Sequence, residues 1–202
     1  MPTHAIRIDR SKRLSEEPRT GHNRWHPDIP PAVRVDPGDT VVLETRDAFD
    51  GVITPAMTAA DLHRVDLNLV HPLTGPVFVN GAEPGDLLEV HIVEITPQPF
   101  GFTVIVPGFG FLREYFTTPF LVKWSIDGTS AVSPDLPGVR IPAGAFMGVM
   151  GVAPSRASLT RMVAREAELL RRGGAVMPPL AQGAVPETDP IAREALRTIP
   201  PR

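Results

Sequence analysis

Alternation of apolar and polar residues marks several short strands along this chain, and a helical period marks one longer element. TVVLETRD (40–47) sets Val41, Leu43 and Thr45 on one face and Val42, Glu44 and Arg46 on the other, the period of two that a half-buried strand requires. PVFVN (76–80) and LLEVHIVEIT (87–96) flank the turn-rich GAEPGD (81–86), a pattern that predicts a hairpin. FTVIV (102–106), FLVKWSID (120–127) and FMGVMGV (146–152) predict three further strands, the last a buried one whose small residues admit a neighbouring backbone.

The helical period falls after residue 155. Leu159, Met162, Val163 and Leu170 share a face, Ser158 is placed to cap the start, and Arg171 and Arg172 precede the stop at Gly173 and Gly174. Beyond it, AVMPPLAQGAVPETDP reads as a proline-rich linker. Asp189 and Pro190 then open a short helix, and RTIPPR closes no element. The expected organisation is an N-terminal arm (1–39), a β-rich core (40–154), a helix (155–174), and a linker with a short helix (175–202) leading to a further part. Residues 48–74 form a long excursion without a clear period.

Composition narrows the class. Among 202 residues are 24 prolines and 17 glycines, which suits many short strands joined by rigid turns rather than a helical bundle. The expected fold is mainly β with a few helices, a β-sandwich or barrel-like core with an irregular N-terminal arm. A net charge of −3 with no long one-sign stretch gives no reason to expect a nucleic-acid or membrane partner. The absence of cysteine removes disulfides, thiolate metal sites and a thiol nucleophile together. No apolar run approaches the roughly 18 residues of a membrane span, and MPTHAIRIDR is too polar for a signal-peptide core, so a cytoplasmic location is expected.

The candidate chemistry starts with GHNRWHPDIPP (21–31). His22 and His26 lie four apart, but Pro27, Pro30 and Pro31 argue against a helix, so the spacing alone does not converge the two rings on a metal. A metal pair, a substrate-binding rim and a polar lead-in all stay open. His71 and the carboxylates Asp47, Asp66, Glu83 and Asp86 sit near turns. Asp39 and Asp86 each follow a Pro-Gly and read as ordinary turn acids, whereas Glu83 has no such preference to explain it. VPGFGF (106–111) lacks the spacing of a phosphate loop, and Met147 and Met150 read as core. Neither a G-x-S-x-G elbow nor H-E-x-x-H is present.

Taken in order, GHNRWHPDIPP, VHPLTGPVFVNGAEPGDLLEVHI, VPGFGFL, IPAGAFMGVMGVAPS and AREALRTIPPR resemble the N-terminal part of the acetamidase/formamidase family. The resemblance implies hydrolysis of a small aliphatic amide to a carboxylate and ammonia, in a mainly β fold that assembles into homo- or hetero-oligomers. It also suggests a divalent metal such as zinc, bound in some members, which would supply hydroxide and polarise the carbonyl. Carried over by position, it makes Glu83 the general base and Asp47 and Asp66 further acids. His22, His26 and Asn68 become substrate-side groups, and His71 with Asp47 the metal ligands, although His71 stands where some relatives have asparagine. Family members continue past a stretch similar to RTIPPR into a second region. The expectation is therefore an N-terminal subunit completed by a C-terminal partner chain. The alternative is a non-catalytic binding or assembly subunit that uses the aromatic loop FGFLREYF (109–116) as its contact surface.

Overall fold

The computed structural model describes residues 2–174 and 180–198. Its strands, in chain order, are Thr3–Ile6 (β1), Gly21–His22 (β2), Arg24–Trp25 (β3), Val33–Val35 (β4), Thr40–Leu43 (β5), Leu73–Thr74 (β6), Val77–Val79 (β7), Phe100–Ile105 (β8), Phe120–Ile126 (β9), Ser130–Val132 (β10), Arg140–Pro142 (β11) and Leu196–Arg197 (β12). Two α-helices, Arg156–Arg171 (α1) and Ile191–Glu194 (α2), and 3-10 turns at Leu14–Glu16 and Ala59–Arg64 complete it. The fold is mainly β, built from several small sheets, and among the described residues none closes into a barrel.

The chain divides into two compact units. The first comprises the described residues of 1–51, 66–86 and 151–202. Here β1 runs parallel to β5 and β4 parallel to β7, while β2 pairs antiparallel with β6 and β3 with β12. The N-terminal arm is thus ordered by four short strands, each matched to a segment distant in sequence. Its core is assembled from Ile6, Leu14, Val35, Val70, Leu159, Val185, Ile191 and Leu196, all buried. Gly21 is required on β2 because a Cβ there would lie 2.4 Å from the Leu73 carbonyl oxygen across the pair.

α1 begins at Arg156 because Ser155, not Ser158, is the cap: the Ser155 hydroxyl accepts a hydrogen bond from the Ser158 amide at 3.2 Å. RTIPPR is not wholly outside the fold, since Arg197 belongs to β12. The first five residues of the proline-rich linker (175–179) and the last four residues of the chain lie outside the described part.

The second unit comprises residues 52–65 and 87–150, around an antiparallel sheet in the order β11-β10-β9-β8. Leu121, Val122 and Trp124 of β9 are buried, and the Trp124 indole N–H reaches the Thr103 hydroxyl of β8 at 3.0 Å, satisfying the polar atom of the largest core side chain. Two expected strands are absent. Residues 87–96 form no strand and make no backbone hydrogen bond among the described residues, so the hairpin with 76–80 does not form; β7 pairs with β4 instead. Residues 146–152 likewise make no strand, and Phe146, Met147 and Met150 are exposed rather than core. In both cases the apolar pattern is real, but no partner strand lies among the described residues to consume it.

Candidate functional site

The stretch 21–26 is the most polar part of the first unit's interior. His22, Asn23, Arg24 and His26 are all buried there, and Arg24 is 0% exposed. Such burial penalises any charge or dipole left without a partner. Asn23 meets that demand with its side-chain amide, which donates to the Gly183 carbonyl at 2.8 Å and accepts from the Val185 amide at 2.8 Å. Arg24 donates to the carbonyls of Asn23 (3.0 Å), Asn68 (3.2 Å) and Leu180 (3.0 Å). Burial, with the Arg197 cation nearby, holds the Arg24 pKa down at about 10, and Asp66 partly offsets the two. The Thr198 hydroxyl donates to the carbonyls of both Asn23 and His71.

This hub gathers segments far apart in sequence. Asp66 accepts from the Asn68 amide and side chain at 2.8 and 2.9 Å, and the Asn68 side-chain oxygen accepts from Arg197 at 2.6 Å. Leu67 also accepts from Arg197, at 2.5 Å. His71 sits on the same frame in a left-handed conformation (φ 66°), with its N–H on the Ala48 carbonyl at 2.6 Å. Asymmetric conformations of this kind persist only where the surroundings fix them. Its Nδ1 is buried without a hydrogen-bond partner among the described residues, and burial lowers its pKa.

The two histidines of the opening motif are held in opposite tautomers. His22 Nδ1 lies 2.7 Å from the Arg24 carbonyl, which only accepts, so Nδ1 carries the proton and Nε2 keeps its lone pair. His26 Nδ1 lies 3.1 Å from the Asp28 amide, which only donates. The neutral ring therefore carries its proton on Nε2, and that atom is buried with no partner among the described residues. The Asp28 carboxylate, 4.0 Å from His26 Nδ1, is bound by Arg156 instead. Burial lowers the His22 pKa against a smaller opposing effect of its bond to the Arg24 carbonyl. Trp25 meets His22 edge-on, with centroids 5.7 Å apart, and packs closely over Gly151, where a Cβ would approach the indole to 3.2 Å.

His22, Asp66, Asn68 and His71 thus share one hydrogen-bonded frame, while His26, buried two residues after Arg24, bonds only to its own turn at Asp28 and Ile29 among the described residues. The other expected residues stand apart from it. Both Asp47 oxygens accept backbone N–H groups, from Phe49 and Gly51 at 2.8 Å each, so this carboxylate caps its own turn. Glu83 is exposed at the turn after β7, where the Asp86 carboxylate caps its N–H at 2.8 Å. Among the described residues no three His, Asp or Glu side chains gather as a metal would require, so the pair His71 and Asp47 does not build a centre by itself. Asn23, Arg197 and Thr198 were not singled out by pattern; only their long-range pairing reveals them.

Residues 7–202 match the Acetamidase/Formamidase family. The chain belongs to that family. The acetamidase of Mycolicibacterium smegmatis is 37% identical over 226 residues, covering 100% of this chain and 56% of that protein. The formamidase of Methylophilus methylotrophus is 35% identical over 214 residues, covering 98% of this chain and 53% of that one. Among solved structures, the gamma lactamase from Delftia acidovorans superposes with a TM-score of 0.92 at 36% identity, covering 100% of this chain and 53% of the other. The chain spans about half the length of the curated relatives it matches. No described helix is long and apolar enough to cross a membrane.

Proposed function

We propose that this chain forms one half of a hydrolase of small aliphatic amides, formamide or acetamide, completed by a polypeptide carrying the rest of the family fold. The observation that carries the reading is the pair of opposed tautomers: a lone pair left on Nε2 of the buried His22, and a buried N–H on His26 Nε2 without a partner among the described residues. Amide hydrolysis needs one group to take a proton and one to donate to developing negative charge. In this reading a water gives one proton to His22 Nε2 as its oxygen bonds to the amide carbon. The carbonyl oxygen, gaining negative charge, accepts from His26 Nε2–H. The C–N bond then breaks as His22 returns the proton to the leaving nitrogen, giving the acid and ammonia. The lowered pKa of His22 keeps it neutral, and so a base, at pH 7. Asn68, held by Asp66, ties Arg24 and Arg197 into the frame that carries His22.

A second assignment makes Glu83 the proton acceptor, favoured by a carboxylate that is exposed and forms no ion pair among the described residues. His22→Gln and Glu83→Gln, compared in the completed assembly, separate the two. Loss of a general base costs about 10²–10⁴ in kcat. A loss of that size for His22→Gln with near-normal turnover for Glu83→Gln supports the first assignment, and the reverse pattern transfers the role. Normal turnover by both would remove both residues from the proton transfer.

A further inference from the structure

Residues 87–93, LLEVHIV, have the alternating sequence of a strand but no strand partner among the described residues. The carboxylate of Glu89 meets His91 Nε2 at 2.9 Å, placing side chains two apart on one side, as an extended backbone does. Leu88, Val90 and Ile92 then share the other side, and all three are exposed. Leu87 is 96% exposed and Val93 84%. Among the described residues, none from 87 to 95 makes a backbone hydrogen bond. A soluble protein rarely leaves a run of apolar side chains and unpaired N–H and C=O groups in water together.

The edges of the sheet in the same unit point the same way. One edge, β11, is three residues long and contains Pro142, a device that discourages further pairing. The other, β8, has six residues, FGFTVI, without Lys or Pro, and is separated from the 87–96 segment by Pro97, Gln98 and Pro99. Phe146, 83% exposed, and Met150 add apolar surface in this unit.

We propose that 87–93 is the docking strand for the other half of the family fold, which lays an extended segment beside it and covers Leu88, Val90 and Ile92. The occupant follows from the comparisons: the gamma lactamase carries this fold as 53% of a longer chain, and the acetamidase and formamidase relatives exceed it similarly. Strand addition supplies backbone bonds for affinity and alternate side chains for register. The inference rests on the reading that a second half completes the enzyme.

The test is to produce the chain alone and together with the part of the Mycolicibacterium acetamidase that it does not match, following hydrogen exchange of peptides spanning 87–95. Alone, these amides should exchange at rates near those of an unstructured peptide; in the complex, at least about 100-fold slower. Val90→Lys and Ile92→Lys should cut co-purification about tenfold or more while exchange over 100–142 stays as in the parent. Val163→Lys, on the exposed side of α1, should leave it intact. A complex in which 87–95 exchanges as fast as in the free chain overturns the proposal. So does concentration-dependent protection in the chain alone, which would make the occupant a second copy, or the failure of any complex to form. A protected complex without amide turnover leaves this inference standing and removes the amidase reading.

Discussion

Truncating Asn23 to alanine should be among the most damaging single changes in the first unit. The side chain is buried and makes two 2.8 Å bonds, one from the Val185 amide and one to the Gly183 carbonyl. The Val185 amide is buried and stays in place, because the Asn23 amide still binds the Val185 carbonyl at 3.2 Å, while the Gly183 carbonyl is half-buried. A buried hydrogen-bonding group left unsatisfied costs about 1–3 kcal/mol, and the lost bond to Gly183 adds to it, which places the total at about 3 kcal/mol. For a chain of this size that corresponds to a fall of roughly 6–12 °C in Tm. Thermal unfolding followed by circular dichroism checks the size, and hydrogen exchange at Val185 checks the place. Asn23→Asp should behave differently with pH. Its carboxylate would face the Gly183 carbonyl, so its pKa is raised by burial; the penalty should be small below about pH 4, where the acid can donate, and grow above it. A melting point for Asn23→Ala within about 2 °C of the parent would refute the claim that this amide ties 180–198 to the arm.

Other consequences follow from the same geometry. Burial depresses the His22 pKa in the folded state, so the unfolded chain binds a proton first as pH falls. Stability should be full above about pH 6.5 and decline below it, and His22→Asn should flatten that slope in urea titrations run from pH 8 to 5. Gly21→Ala should destabilise by about 1–3 kcal/mol through the clash of its Cβ with the Leu73 carbonyl across the β2–β6 pair, measurable as a lower urea midpoint. Asp127, whose carboxylate binds Thr129 and Ser130 at the β9–β10 turn, has its pKa lowered to about 2, first by the Thr129 hydroxyl. The turn's contribution should be full above about pH 4 and lost as pH falls through 2, and a carboxyl titration by NMR in that range tests it.

The longer strands were legible because six or seven alternating residues carry a period of their own: β8 and β9 fall close to where FTVIV and FLVKWSID place them. The two-residue strands β2, β3, β6 and β12 carry no period and exist only through distant partners, so pattern could not find them. LLEVHIVEIT shows the converse, a complete strand pattern with no partner among the described residues. At the site, the histidines stood out by residue type, yet their roles depend on which backbone atom each Nδ1 meets, a matter of tertiary structure. Asn23 and Arg24 carry no signal of their own in the sequence; burial and long-range bonds make them the frame that ties 180–185 to the arm.

The central claim is that the buried histidine pair belongs to an amide-hydrolysing enzyme of which this chain is half. Ammonia release from formamide and acetamide, measured for the chain alone and with the polypeptide that completes the family fold, tests it most directly. The account predicts negligible release by the chain alone and steady turnover by the pair, lost on His22→Gln or on the assigned alternative Glu83→Gln. An assembled pair that releases no ammonia from either amide, or a chain that turns over fully by itself, would contradict it.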